Sequence, residues 1–108
     1  MHGDSSCPSS NTIKAGDDFL AAEVPKILAS PQYLDDGALF ITWDEADTDD
    51  GPIGMIVLSP LAKPGGYTSS IHYDHSSFLR TVEEVFGLPF LRGAKTATSL
   101  SDLFTSFP

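Results

Sequence analysis

Two short apolar runs constrain the fold of this chain more than any other feature of its sequence. They cover residues 38–43 (ALFITW) and 53–58 (IGMIVL), and in both runs apolar side chains occupy odd and even positions alike. Because successive side chains of a strand point to opposite faces of a sheet, such runs are typical of strands covered on both faces. The sequence therefore predicts an α/β fold in which helices flank a small sheet.

Two helices are predicted around these strands. The first covers residues 17–30, where apolar residues recur at helical spacing, and Pro25 is expected to kink it or start a second segment. The second follows Tyr73 or Asp74, either of which can cap it, and ends before Gly87. Residues 1–16 are predicted to form a loop, and residues 99–104 one last helical turn.

The length of 108 residues predicts a single small domain, residues 1–108. Two strands and two helices leave open sheet edges and a thin core in such a chain. We therefore expect a homo-oligomer, most simply a two-fold dimer. The alternative is a monomer in which further short strands complete the sheet.

The charge balance excludes some partners. Fifteen acidic residues against six basic ones give a formal net charge of −9, which disfavours both nucleic acid and anionic membrane surfaces. No apolar run approaches the roughly 20 residues of a membrane span, and residues 1–10 lack the features of a signal peptide. A soluble, cytoplasmic protein is the resulting expectation. Because Cys7 is the only cysteine, an intrachain disulfide cannot form.

Asp44 and Glu45 are the first candidate site residues. They follow the first predicted strand directly, and ligand sites of open α/β sheets lie outside the carboxyl ends of strands. Adjacent carboxylates beside an apolar segment need partners, and a divalent cation would neutralise the pair. The alternative is that both residues begin a solvated acidic loop.

Three histidines could complete such a site. His75 opens the second predicted helix beside Asp74, His72 lies three residues earlier, and His2 lies near the first residue. An imidazole at these positions can be a metal ligand, a general acid or base, or merely an exposed or capping residue. Together with the two carboxylates, the histidines predict a mixed oxygen and nitrogen site for zinc or manganese, with Asp74 as a further candidate.

Five segments in order resemble the C-terminal part of a bacterial phosphoesterase family. That family includes phospholipases C and acid phosphatases and belongs to the alkaline phosphatase superfamily. The resemblance spans about residues 1–104 and is carried by residues 16–20, 24–28, 41–45, 58–60 and 75–83 (GDDFL, VPKIL, ITWDE, LSP and HSSFLRTVE).

The resemblance implies a metal-dependent phosphate ester hydrolase built on a truncated α/β/α sandwich. It makes Asp44 and Glu45 metal ligands, and it places His75, and more weakly His2, near the phosphate or the metal. The family's Ser or Thr nucleophile belongs to an upstream portion that these 108 residues do not contain.

A metal-bound hydroxide is therefore the expected attacking group. Small phosphodiesters or triesters are the expected substrates, because a monoester dianion would face a negatively charged protein. The competing interpretation is a catalytically inactive structural or interaction fragment of a larger phosphoesterase.

Overall fold

The computed structural model describes residues 12–46 and 51–107. It contains three helices, two strands and two 3₁₀ turns, and so confirms a small α/β fold. In chain order the elements are α1 (Thr12–Leu28), α2 (Pro31–Asp36), β1 (Leu39–Thr42), β2 (Met55–Leu58), α3 (His75–Val85), η1 (Arg92–Lys95) and η2 (Leu100–Leu103). None of the described helices is long and apolar enough to cross a membrane.

The chain divides into two compact units, an N-terminal unit, Met1–Pro60, and a C-terminal unit, Leu61–Pro108. The charge is divided between them very unequally. Residues 1–60 carry eleven acidic and two basic residues, whereas residues 61–108 carry four of each. The whole net charge of the chain therefore belongs to the N-terminal unit.

Helix α1 begins at Thr12, five residues before the predicted start, so residues 12–16 are helical and not a loop. Pro25 lies inside the helix, which continues without interruption to Leu28. The backbone N–H of Ala29 still donates to the carbonyl of Pro25 (3.1 Å). Pro25 thus neither ends α1 nor starts a separate segment.

Helix α2 is a single short element that the sequence analysis did not predict. Ser30 caps its start, since its hydroxyl accepts the backbone N–H of Tyr33 (3.3 Å), and Pro31 occupies the first turn. Gly37 ends it by donating its N–H to the carbonyl of Tyr33 (3.1 Å). A Cβ on Gly37 would lie 2.5 Å from the Cα of Tyr33, so this close approach requires glycine.

Strands β1 and β2 form a two-stranded antiparallel sheet in which Leu39 pairs with Leu58 and Thr42 pairs with Met55. Both strands lie within the predicted runs, but the expected complete burial on two faces is wrong. All four residues of β1 are half-buried, and Ile56 of β2 is 53% exposed. A sheet of two four-residue strands is too small to be enclosed on both faces by the helices of its unit.

The C-terminal unit contains the buried apolar side chains of the described residues, namely those of Ala94, Leu100 and Phe104. Helix α3 packs against η1 and η2 around them. The backbone N–H of Leu100 donates to the hydroxyl of Thr81 (2.9 Å). Gly87 follows α3 with a φ of +63°, as the sequence predicts for the residue after a helix.

The buried face of α3 is polar. Ser77, Thr81 and Glu83 are its buried residues, whereas the apolar Leu79 and Val85 of the same helix are 42% and 41% exposed. The hydroxyl of Thr81 and the carboxylate of Glu83 accept backbone N–H groups of Leu100 and Leu91. The face of α3 that is buried is thus the one that hydrogen-bonds to the segment after the helix. The spacing of apolar residues alone cannot predict those hydrogen bonds.

Candidate functional site

Asp44 and Glu45 leave β1 as the sequence analysis predicts, two and three residues after its last residue, Thr42. Both carboxylates are exposed to solvent. They belong to the unit that carries the whole net negative charge, which favours the accumulation of cations around them.

The end of β1, which leads to these carboxylates, is hydrogen-bonded to the residue directly before β2. The hydroxyl of Thr42 donates to the carbonyl of Gly54 (2.8 Å). A side chain at Gly54 would collide with the indole ring of Trp43, so glycine leaves room for the ring at this position. The hydrogen bond of Thr42 and the contact of the Trp43 ring with Gly54 therefore hold the end of β1, which Asp44 follows.

His75 is the first residue of α3, and Asp74 is its N-cap. The Asp74 carboxylate accepts the backbone N–H of Ser77 (2.8 Å), and the Ser77 hydroxyl accepts the backbone N–H of Asp74 (3.1 Å). This reciprocal capping box fixes the first turn of the helix and with it the backbone of His75. The prediction that Asp74 can cap this helix is confirmed.

The pKa of the Asp74 carboxyl lies below its ordinary value of 3.8. The backbone N–H of Ser77 is the main cause, and the Ser77 hydroxyl, the Ser76 backbone and the charge of His72 act in the same direction. A lowered pKa means that the cap stabilises the fold at pH values above 3.8, and that this contribution is lost as the pH falls through the lower value. Asp74 is thus a carboxylate at neutral pH.

The predicted ligands are distributed over the two units. Asp44 and Glu45 belong to the N-terminal unit, and His72, Asp74 and His75 to the C-terminal unit. His2 lies outside the described residues, as do the acidic residues of the segment 47–50. Among the His, Cys, Asp and Glu residues that the structure does describe, no group of three or more could hold a metal ion.

By residue type, and not by position, the predicted residues are metal-ligating groups. Asp44 and Glu45 offer carboxylate oxygens, His75 and His72 offer imidazole nitrogens, and all four side chains are exposed to solvent. Zinc and manganese both accept such mixed ligand sets in proteins.

Glu83 is a polar residue that the sequence analysis did not single out. It is 3% exposed, and its Oε1 accepts the backbone N–H of Leu91 (3.1 Å). Its Oε2 is buried without a hydrogen-bond partner among the described residues. The sequence gives no sign that Glu83 is buried, because its hydrogen-bond donor, the backbone N–H of Leu91, lies in a loop eight residues further along the chain.

Comparison with known proteins identifies a family. The model of the Phosphoesterase family matches residues 3–89, a range that includes Asp44, Glu45 and His75. No curated protein and no solved structure gives a significant match.

Proposed function

Because the chain belongs to the Phosphoesterase family, we propose that it hydrolyses phosphate esters with the help of a divalent ion. The family match carries this proposal, since it covers most of the chain and all predicted site residues except His2. The acidic character of residues 1–60 supports the choice of substrate. Diesters and triesters carry less negative charge than a monoester dianion and are repelled less by such a surface.

Asp44 and Glu45 are the carboxylate ligands in this proposal, and His75 is an imidazole ligand or exchanges a proton with the leaving-group oxygen. His72 and His2 are further candidate ligands. When bound, zinc or manganese would supply charge stabilisation to the phosphoryl oxygens and lower the pKa of a coordinated water. The capping box of Asp74 would keep the backbone of His75 in place throughout.

Metal removal tests the proposal. We expect the purified chain to hydrolyse bis(p-nitrophenyl) phosphate, to lose this activity after exhaustive chelation, and to regain it with zinc or manganese. Elemental analysis before and after chelation gives the metal content of each sample. Unchanged turnover in metal-free protein would contradict the proposal of metal dependence. Absence of hydrolysis with either metal would favour the inactive structural or interaction fragment instead.

We also propose that the chain is a homodimer. Two-stranded sheets are marginal on their own, and several large apolar side chains in the described residues are well exposed, among them Ile13 (85%), Phe86 (72%) and Leu91 (61%). Exposed apolar surface of this kind favours association. Sedimentation equilibrium at micromolar concentration should show a species of about twice the chain mass of 11.5 kDa. A single species at the monomer mass would contradict the proposal.

A further inference from the structure

One carboxylate, that of Asp102, holds three side chains of the loop that leads to α3. Its Oδ1 accepts the ammonium of Lys63 (3.1 Å). Its Oδ2 accepts the hydroxyl of Tyr67 (2.7 Å) and the hydroxyl of Ser69 (2.8 Å). The Lys63 ammonium also lies 4.3 Å from the centre of the Tyr67 ring. Both oxygens of this carboxylate are thus committed to residues 33–39 positions earlier in the chain.

Asp102 is itself anchored in the core of the C-terminal unit. It lies on η2 between Leu100 and Phe104, which are 2% and 8% exposed. The same turn is tied to the start of the loop by backbone hydrogen bonds, since the N–H of Lys63 donates to the carbonyl of Leu103 (2.9 Å). The buried side chains of Leu100 and Phe104 on either side of Asp102, together with this hydrogen bond, therefore hold the backbone from which its carboxylate extends.

The charges of this cluster reinforce one another. The hydroxyls of Tyr67 and Ser69 and the ammonium of Lys63, in that order, hold the pKa of Asp102 below its ordinary 3.8. The hydrogen bond that the Lys63 ammonium donates to Asp102 raises the pKa of Lys63 above 10.5. The contribution of Asp102 to stability is lost only below pH 3.8, and that of Lys63 only above pH 10.5. The cluster therefore remains intact across the neutral range.

The restraint continues from Ser69 to the start of α3. The Ser69 hydroxyl accepts the backbone N–H of Ile71 (3.2 Å) and lies 3.5 Å from the hydroxyl of Tyr73. His72 lies between Ile71 and Tyr73, the two residues that Ser69 contacts. Asp74, with its capping box, comes directly after them. Both histidines of the C-terminal unit therefore follow a segment whose side chains converge on Asp102.

The loop needs such a restraint. Gly65 and Gly66 both adopt positive φ angles, +75° and +69°, and nothing lies within 4 Å of the position that a Cβ would occupy on either residue. A segment with two open glycines has wide conformational freedom. Contacts on both sides of the glycine pair, at Lys63 and at Tyr67, limit that freedom.

We propose that Asp102 is a positioning residue for phosphoester hydrolysis, which holds loop 63–73 so that His72 faces the substrate in one orientation. The inference rests on the proposed function. It concerns a residue outside the family match, which ends at residue 89. Asp102 touches neither the substrate nor a metal ion in this role. It acts only through the loop.

The test compares graded variants of the whole chain. Asp102→Ala removes all three hydrogen bonds to the carboxylate, Tyr67→Phe removes one of them, and Ser69→Ala removes one of them together with the contacts to Ile71 and Tyr73. Ser101→Ala, on the same turn and exposed, is the matched control. We measure kcat and KM for bis(p-nitrophenyl) phosphate at a temperature at which each variant is fully folded by circular dichroism. The NMR signals of the His72 and His75 rings and amide hydrogen exchange over residues 64–73 report the order of the loop.

Asp102→Ala should lower kcat about 10- to 100-fold with KM nearly unchanged, as expected for loss of a residue that orients a reacting group. The NMR signals of His72 should shift and exchange in the loop should accelerate, whereas the signals of His75, whose backbone the capping box holds, should stay in place. Tyr67→Phe and Ser69→Ala should each lower kcat to a smaller degree, and Ser101→Ala should not change it. If Asp102→Ala fails to fold, the two single-hydroxyl variants decide the outcome by the same criteria.

Each contrary outcome has its own meaning. A wild-type chain that hydrolyses no phosphate ester overturns the proposed function, and the inference with it. An active wild type whose folded variants keep the same kcat, or lose only substrate affinity, overturns the inference alone. A loop that becomes mobile without any loss of kcat also overturns it, because Asp102 would then serve stability only.

Discussion

Glu45→Gln is expected to lower kcat/KM for a phosphodiester by about 100-fold or more, whereas Asp47→Asn should lower it by less than about threefold. The reason is that Gln keeps the size of Glu but loses the negative charge that a ligand of a divalent ion supplies. Asp47 follows in the acidic, turn-rich segment 44–52, where we expect a solvated side chain with no ligand role, and it lies outside the described residues. The same loss of one charge should therefore matter at one position and not at the other.

The two variants are matched controls for each other, because each replaces one carboxylate by the corresponding amide in the same segment. Asp44→Asn should behave like Glu45→Gln, and both should bind less zinc or manganese by elemental analysis. Trp43 is the only tryptophan and directly precedes Asp44, so its fluorescence reports whether the end of β1 keeps its structure. Equal losses in Glu45→Gln and Asp47→Asn would show that the ligand assignment is wrong and that the whole loop forms the site.

Both strands could be predicted from the sequence, because their residues are apolar at odd and even positions alike, and this pattern is visible within six residues. It did not give their burial, since burial depends on how much of each face the rest of the molecule covers. Ile56 is an example, as it occupies the middle of an apolar run and is still 53% exposed.

Helix α2 was missed for a different reason. Ser30-Pro31 and Asp35-Asp36-Gly37 are residues typical of turns, but a Ser cap, a Pro in the first turn and a closing Gly are also the start and stop signals of a helix. The six residues between those signals carry too short an apolar pattern to distinguish the two cases.

The candidate site was predictable where it depends on local chemistry. The Asp74 cap follows from residues 74–77 alone, and the position of Asp44 and Glu45 after β1 follows from the end of an apolar run. Their role as ligands stays a prediction. Asp102 could not be found in this way, because its partners are more than 30 positions away along the chain and no periodic pattern connects them.

Arg80 is expected to be the most important charged residue for the stability of the C-terminal unit. Its Nε donates to the Glu84 carboxylate (2.8 Å), and its Nη1 donates to the carbonyls of Ala94 (3.2 Å) and Lys95 (3.1 Å). The guanidinium also lies 4.4 Å from the centre of the Phe90 ring. One side chain thus connects α3 to η1 and to the segment between them.

Arg80→Met should lower the free energy of unfolding by about 2–3 kcal/mol, since hydrogen bonds to a charged donor are among the stronger ones and two carbonyls would lose their partner. Met retains most of the apolar stem of Arg, so the loss reports the guanidinium. Arg80→Lys should recover only part of this loss, because an ammonium cannot reproduce the planar arrangement of donors that reaches Glu84 and both carbonyls.

Lys26→Met is the matched control for this prediction. Lys26 pairs with Glu23 at 2.9 Å on α1, but both side chains are well exposed, at 69% and 43%. An exposed pair of this kind contributes about 0–1 kcal/mol, so the variant should unfold close to the wild type in urea, followed by circular dichroism. Hydrogen exchange should locate the effect of Arg80→Met in residues 90–97. If both variants lose the same small amount of stability, the contacts of Arg80 contribute no more than a surface ion pair. The packing of η1 on α3 would then depend on its other contacts, among them the burial of Ala94 and the hydrogen bond from Leu91 to Glu83.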